Sequence, residues 1–193
     1  IMKNRLPQWV ENAECRLVLH KNCRNTTEVF KTSCSIMGLE KVSYNEIHGE
    51  VPTAKFYQTT QEMESIVSDF MKRVTAEGLL PEDVVVLTAK TVDKSWLDVT
   101  KEYGGQQLSI TKEPGKVLFT TIRRFKGLEA EAILIIDVSM SSIASPENRR
   151  LLYVGSSRAK SLLLCWRMLK VATRETLFAV LHREGTFQKI RKD

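Results

Sequence analysis

The segment from Lys116 to Asp137, KVLFTTIRRFKGLEAEAILIID, constrains the fold more than any other part of the chain. Two short apolar runs, Val117–Phe119 and Ala132–Ile136, bracket a basic segment, Arg123-Arg124-Phe125-Lys126-Gly127. Short runs rich in Val and Ile are the mark of strands buried in a parallel or mixed sheet. Between them lie three cations, one aromatic, one glycine and then Glu129, too polar for either core. Charge crowded onto a connection between buried strands points to a site rather than a requirement of the fold. Taken alone, the segment reads as a basic loop able to hold phosphate.

The remaining chain supplies alternating strand and helix signals. Cys15–Leu19 is expected to form a short strand, followed by a polar loop, His20-Lys21-Asn22-Cys23-Arg24-Asn25. Thr26 or Thr27 can cap a helix that carries Val29, Phe30 and Cys34 or Ile36 on one face and stops at Gly38. Residues 39–54 read as a loop, and Lys55–Thr59 as a strand. The clearest helix comes next: Met63, Ile66, Val67, Phe70, Met71 and Val74 share one face, Thr59 and Glu62 fit a capping box, and Gly78 ends it. Val84–Leu87 is a buried strand. Residues 93–103 are expected to form a short amphipathic helix with Trp96, Leu97 and Tyr103, closed by Gly104-Gly105. Residues 106–115 read as a linking loop or edge strand, and Ser139–Ser142 as a polar loop. Ser145-Pro146-Glu147 opens a helix with a capping residue, a first-turn proline and an acid at the positive end of the dipole. Leu162–Trp166 is the last buried strand, and residues 174–184 a closing helix. Strands alternating with helices predict an α/β fold with a mainly parallel sheet. We expect residues 1–14 to be a lead-in and residues 15–193 a single domain.

The net charge is +6, and all of the excess lies in the last 78 residues, which hold 15 Lys and Arg against 7 Asp and Glu. Such a local field suits a polyanion, nucleic acid or a triphosphate, although a solvated basic face is the commoner outcome for composition of this kind. Four cysteines without C-x-x-C spacing and three scattered histidines give no support to a zinc site. They read instead as reduced thiols, and the expected location is cytoplasmic. No run approaches the roughly 18 apolar residues of a membrane span, so no membrane partner is expected. The opening Ile1-Met2, with no signal peptide, leads us to expect a piece of a longer polypeptide.

Three places supply arginines beside expected strands: Arg24, the Arg123-Arg124-Lys126 group, and Arg158 after Val154-Gly155-Ser156-Ser157. Loops at the carboxyl ends of parallel strands gather on one edge, where ligands bind. Guanidinium groups converging there would suit bidentate contact with phosphate. The chain has no G-x-x-x-x-G-K-[ST], hence no loop that cradles a nucleotide's phosphates and places a magnesium ion. Asp137 reads as a lone strand-end carboxylate. The chain is thus expected to touch a nucleotide but not to hydrolyse it unaided.

Three segments resemble motifs of the UvrD/Rep-type superfamily-1 helicases. Thr121-Ile122-Arg123-Arg124-Phe125-Lys126-Gly127-Leu128-Glu129 resembles their motif V, T-I-H-S-x-K-G-L-E. Arg150–Ala159, RLLYVGSSRA, resembles motif VI, R-L-x-Y-V-G-x-T-R-A. Asn22-Cys23-Arg24-Asn25 is similar to the N-Y-R-S of motif IV. The order suits the second, C-terminal RecA-like domain, and the R-F-K-G-L-E-A variant is most similar to compact members in which a nuclease-related domain can precede the motor. The resemblance implies a three-layer RecA-like sandwich that lacks its own Walker A loop. ATP and Mg2+ would be held mainly by an N-terminal RecA-like domain of the same polypeptide. Arg24 and Arg158 would meet the γ-phosphate, with Arg158 as arginine finger, and Glu129 would meet the ribose. Thr121, Arg123 and Arg124 would contact single-stranded DNA, supported by Lys126, while Gly127 and Gly155 would allow close backbone approach at the interdomain cleft. Arg123 stands where the family has histidine, Ser157 where it has threonine and Cys23 where it has tyrosine. About 95 residues separate motifs IV and V, so a large inserted subdomain is not expected. The implied function is the C-terminal motor half of an ATP-dependent DNA helicase or translocase, inactive as an isolated chain. The rivals are a non-catalytic nucleic-acid-binding RecA-like domain and a structural RecA-like module whose arginines merely solvate one edge.

Overall fold

The computed structural model describes residues 21–39, 43–44, 46–139 and 144–168. The expected strand at Cys15–Leu19, most of the loop at Ser139–Ser142 and the helix at 174–184 lie outside these residues. Strand β4 (Val84–Thr88) is buried along its whole length, as a Val-rich run flanked on both sides must be. It pairs in parallel with β7 (Val117–Thr121) and with β8 (Ala130–Ser139). Outside β8 lies β9 (Ala159–Met168) and then β3 (Thr53–Tyr57), again parallel. On the other side β7 is followed by β6 (Gln106–Ser109), parallel to it, and by β5 (Glu102–Tyr103), which pairs antiparallel with β6. The order across this seven-stranded sheet is β3-β9-β8-β4-β7-β6-β5. A small parallel pair, β1 (Lys21–Asn22) with β2 (Ser43–Tyr44), stands apart from it.

Alternate side chains of the central strands feed two cores. Val84, Val86, Phe119, Leu134 and Ile136 face α2 (Thr60–Ala76), whose Met63, Val67, Phe70, Met71 and Val74 are buried against them. Val85, Leu87, Ile133, Ile135 and Leu163 face the opposite layer. That layer is built by Val29 of α1 (Thr27–Ile36), Leu152 of α3 (Pro146–Ser156) and the residues Ile122 and Phe125. The result is the expected α/β arrangement of three layers with a mainly parallel sheet.

One half of the capping box predicted for α2 forms, the Glu62 amide donating to Thr59 Oγ1 at 3.2 Å, while the Glu62 carboxylate accepts from the amide of Gln58, one residue before the cap, at 2.6 Å. The helix expected over 93–103 does not form. Only a 3-10 turn at Val92–Lys94 and then turns occupy the stretch before β5. Asp98 Oδ1 accepts from both the amide and the hydroxyl of Thr100 (2.9 and 2.7 Å), and Ser95 Oγ accepts from the Leu97 amide. Such short polar side chains offer the backbone a rival to helical hydrogen bonds, and here they win. Gly104 and Gly105, with φ of 59° and 85°, form the two-residue turn of the β5–β6 hairpin. A Cβ on Gly104 would lie 2.3 Å from the Ser68 carbonyl oxygen, so this hairpin is pressed onto α2.

Candidate functional site

The sheet register sets where each candidate residue lies. Thr88 at the end of β4 is level with Thr121 at the end of β7 and with Ile136 of β8. Ala130, where β8 begins, is level with Ala159, where β9 begins. Residues 122–129 therefore cross from the carboxyl edge of the sheet to its amino edge. Helix α3 makes the same journey beside them, and its 11 residues span about 16 Å. Both segments start at one edge and finish together at the other, where the Ala130 amide donates to the Arg158 carbonyl at 3.2 Å.

The amino edge gathers Arg24, Glu129 and Arg158. Arg24 Nε donates to Glu129 Oε2 at 3.0 Å, the two side chains being 44% and 46% exposed. Lys160 Nζ stands 3.6 Å from the other oxygen of Glu129 and 3.0 Å from Glu131. Arg158 is half-buried, and its Nε donates to the Val154 carbonyl at 3.3 Å. Burial, and then the neighbouring charge of Arg24, hold its pKa below the ordinary guanidinium value. It stays a cation even so, because a guanidinium is not deprotonated in a protein. Two guanidiniums near enough to feel each other's charge, with one carboxylate bonded to Arg24, leave a net positive pair with donors to spare. That donor set fits a phosphate.

A residue the sequence reading passed over holds this edge together. Asn25 is buried, and its Nδ2 donates to the carbonyls of Ser157 (3.1 Å) and Ala159. Its Oδ1 accepts from Asn22 Nδ2 at 3.0 Å, while Asn22 Oδ1 accepts from the amides of Arg24 and Asn25. The Thr26 amide adds a bond to the Lys160 carbonyl at 2.9 Å. The loop that carries Arg24 is thus fastened to the loop that carries Arg158, across more than 130 residues of chain. The pairing of Asn22 with Asn25 three residues on is the only signal of this in the sequence.

The carboxyl edge carries Thr121 and Arg123. Thr121 Oγ1 accepts from the Arg124 amide at 3.1 Å and so caps the first turn of the crossover. Buried Ile122 and Phe125 anchor that turn in the core, which leaves Arg123, Arg124 and Lys126 exposed. Arg123 lies 3.6 Å from Glu147 at the start of α3, with both side chains more than two-thirds exposed (69% and 78%). An ion pair of that kind contributes little and yields readily to another anion. Gly127 has φ of +96° with open space around it, so the turn toward Glu129 needs its left-handed backbone rather than its small size. At Gly155 the reverse holds: a Cβ would sit 3.2–3.3 Å from the Ile122 side chain. Its missing side chain lets α3 close on the crossover inside the domain.

One expectation is overturned. The arginines do not converge on the carboxyl edge. Arg123 and Arg124 lie near that edge, but Arg24 and Arg158 meet at the amino edge, because the helix before Arg158 has already returned across the sheet. Lys126 and Gly127 fall between the two groups.

Residues 116–164, from the start of β7 into β9, match the family model described as UvrD-like helicase C-terminal domain. Among solved structures, the chain is similar to the C-terminal domain of a possible DNA helicase from Lactobacillus strain WCFS1. The TM-score is 0.62 at 17% identity, over 75% of this chain and 86% of that one. No curated protein matches the chain. The likeness to that structure is one of fold, a mainly parallel α/β sheet between helical layers, consistent with a RecA-like helicase C-terminal domain.

Proposed function

We propose that the chain is the C-terminal motor half of an ATP-dependent DNA helicase or translocase, completed by an N-terminal RecA-like domain of the same polypeptide. The observation that carries this is the separation of two cationic groups by a single rigid crossover. Arg24 and Arg158 stand at one end of residues 122–129, and Thr121 and Arg123 at the other. ATP at the amino edge would supply the energy of the cycle through its γ-phosphate. Arg158, pre-placed by the hydrogen bond to Val154 and by its packing, would stabilise charge developing on the transferred phosphoryl group. Arg24 would hold the same phosphate from the other side, and Glu129 would be freed to meet the ribose. Mg2+ in this reading is held mainly by the N-terminal domain, since this chain carries no G-x-x-x-x-G-K-[ST] loop. Thr121, Arg123, Arg124 and Lys126 would contact the backbone of single-stranded DNA.

Because residues 122–129 are anchored by Ile122 and Phe125 and locked to α3 at Gly155, a shift imposed at Glu129 moves Arg123 as well. Domain closure on nucleotide and reopening after hydrolysis would thereby alter the grip on DNA. In the polypeptide that carries both motor domains, Arg158→Ala should abolish ATP turnover and spare DNA binding. Unchanged turnover would remove the finger assignment and favour the non-catalytic, nucleic-acid-binding reading. No helix among the described residues is long and apolar enough to cross a membrane.

A further inference from the structure

A second polar cluster lies on the carboxyl edge, beside Thr121 and outside every motif named above. Its centre is Asp137, whose carboxylate is buried and whose backbone has φ of +60°. Non-glycine residues seldom adopt this conformation, and where a structure enforces it the site often has work to do. Asp137 Oδ2 accepts from the hydroxyls of Thr88 (2.8 Å) and Ser95 (2.6 Å). The Asp137 amide donates to the Tyr57 hydroxyl at 3.1 Å. Burial, followed by the charge of Asp137, pushes the Tyr57 phenol up, so it stays neutral. Asp137 Oδ1 faces Lys90 Nζ at 3.3 Å. Lys90 is held from the other side by Trp96, with Nζ 5.3 Å from the ring centroid, and Trp96 is braced edge-on by Tyr57. The Lys90 amide also donates to Thr88 Oγ1 at 3.0 Å. A flexible lysine is thus fixed at backbone and ammonium alike, yet its side chain remains 33% exposed.

The register places this lysine beside the proposed DNA track. Thr88 and Thr121 are opposite each other on neighbouring strands, and the Ile122 amide donates to the Thr88 carbonyl at 3.2 Å. Lys90 and Arg123 each follow two residues after that matched pair, so they leave adjacent strand ends at the same edge. Asp137 can use only one of the three ammonium protons through Oδ1, and its other oxygen is already taken by two hydroxyls. With a third of the side chain exposed, donors remain for a second partner.

We propose that Lys90 is a backbone-phosphate contact for single-stranded nucleic acid, with Asp137 and Trp96 as the positioning residues that hold it in line with Arg123. This rests on the DNA-binding reading of the carboxyl edge. The alternative is a buried ion pair that only holds β4 and β8 together, and the two differ in what salt does. Binding of a fluorescent oligothymidylate by the 193-residue chain should be measured from low to moderate salt. Lys90→Gln should weaken binding about five-fold and lower the slope of log affinity against log salt by about 0.7, the value for one phosphate contact on a single strand. Lys90→Arg should restore the slope. Lys90→Gln combined with Asp137→Asn removes both charges, leaves no unpaired buried carboxylate and keeps the net charge of the chain. It should show the same lost slope. A wild-type slope in the double variant would overturn the inference, because a merely structural pair would have been removed without touching a phosphate. Arg123→Ala, run alongside, separates the two levels. A lower slope there with no effect at Lys90 refutes the inference alone, whereas no salt-dependent binding by any form of the chain refutes the DNA reading and the inference with it.

Discussion

Asn25→Ala tests how the amino edge is built. The Asn25 amide bonds two main-chain carbonyls, those of Ser157 and Ala159, inside the core, and its oxygen bonds Asn22. Alanine leaves those carbonyls buried without their donor. Each lost bond costs about 1 kcal/mol net, and more where an acceptor is stranded, so the sum is about 2–3 kcal/mol. For a chain of this length that is a fall in Tm of about 4–12 °C. Urea unfolding of the 193-residue chain, with the slope of the transition checked for constancy, measures it directly. Asn25→Asp should be at least as damaging, because it aims a carboxylate oxygen at two carbonyl oxygens. A loss below about 0.5 kcal/mol for Asn25→Ala would refute the reasoning, since the loop with Arg24 would then not depend on this bond. If instead stability falls as expected, Asn25→Ala in the two-domain polypeptide should also slow ATP turnover, as Arg24 loses its fixed position beside Arg158.

Two further outcomes follow from packing and charge. Gly155→Ala introduces a methyl group 3.2–3.3 Å from three carbons of Ile122, which costs about 1–2 kcal/mol by overpacking despite alanine's better helix propensity. Adding Ile122→Val, which removes one of those carbons, should recover part of the loss, and an additive pair in thermal melts would contradict the contact. Glu113 is held to a pKa of about 2, chiefly by Lys116 and then by the hydroxyls of Ser109 and Thr111. Its folded value lies below its unfolded one, so the stabilisation is present above about pH 4.5 and is lost as pH falls toward 2. NMR titration should find this low value, and Lys116→Ala should raise it; an ordinary Glu113 titration in the native chain would refute the bonded turn between β6 and β7.

The legible parts of the fold were those with a strong local signal. Helix α2 declared itself through one apolar face and a threonine cap, and β4 and β8 through Val- and Ile-rich runs that only a sheet buried on both faces can hold. The stretch after Val92 misled because its apolar residues have helical spacing, whereas Ser95 and Asp98 turn the backbone by their own hydrogen bonds. Arg24, Glu129 and Arg158 could each be singled out by motif, but not the edge on which they meet, since that depends on which way each connection crosses the sheet. Asp137 looked solitary because its partners, Tyr57, Thr88, Lys90 and Ser95, lie 42 to 80 residues away in the chain. Its carboxylate and its positive φ gain meaning only once β3, β9, β8 and β4 are assembled in one sheet.

In the proposed motor, one crossover would separate a phosphate-sensing edge from a DNA-gripping edge. Single-stranded DNA affinity and DNA-stimulated ATP turnover, measured together for Arg158→Ala and Arg123→Ala in the two-domain polypeptide, test it most directly. A clean exchange is expected: Arg158→Ala loses turnover and keeps its affinity for DNA, while Arg123→Ala loses affinity and keeps turnover at saturating DNA. Equal losses of both properties in both variants would contradict it, for the two edges would then be one site.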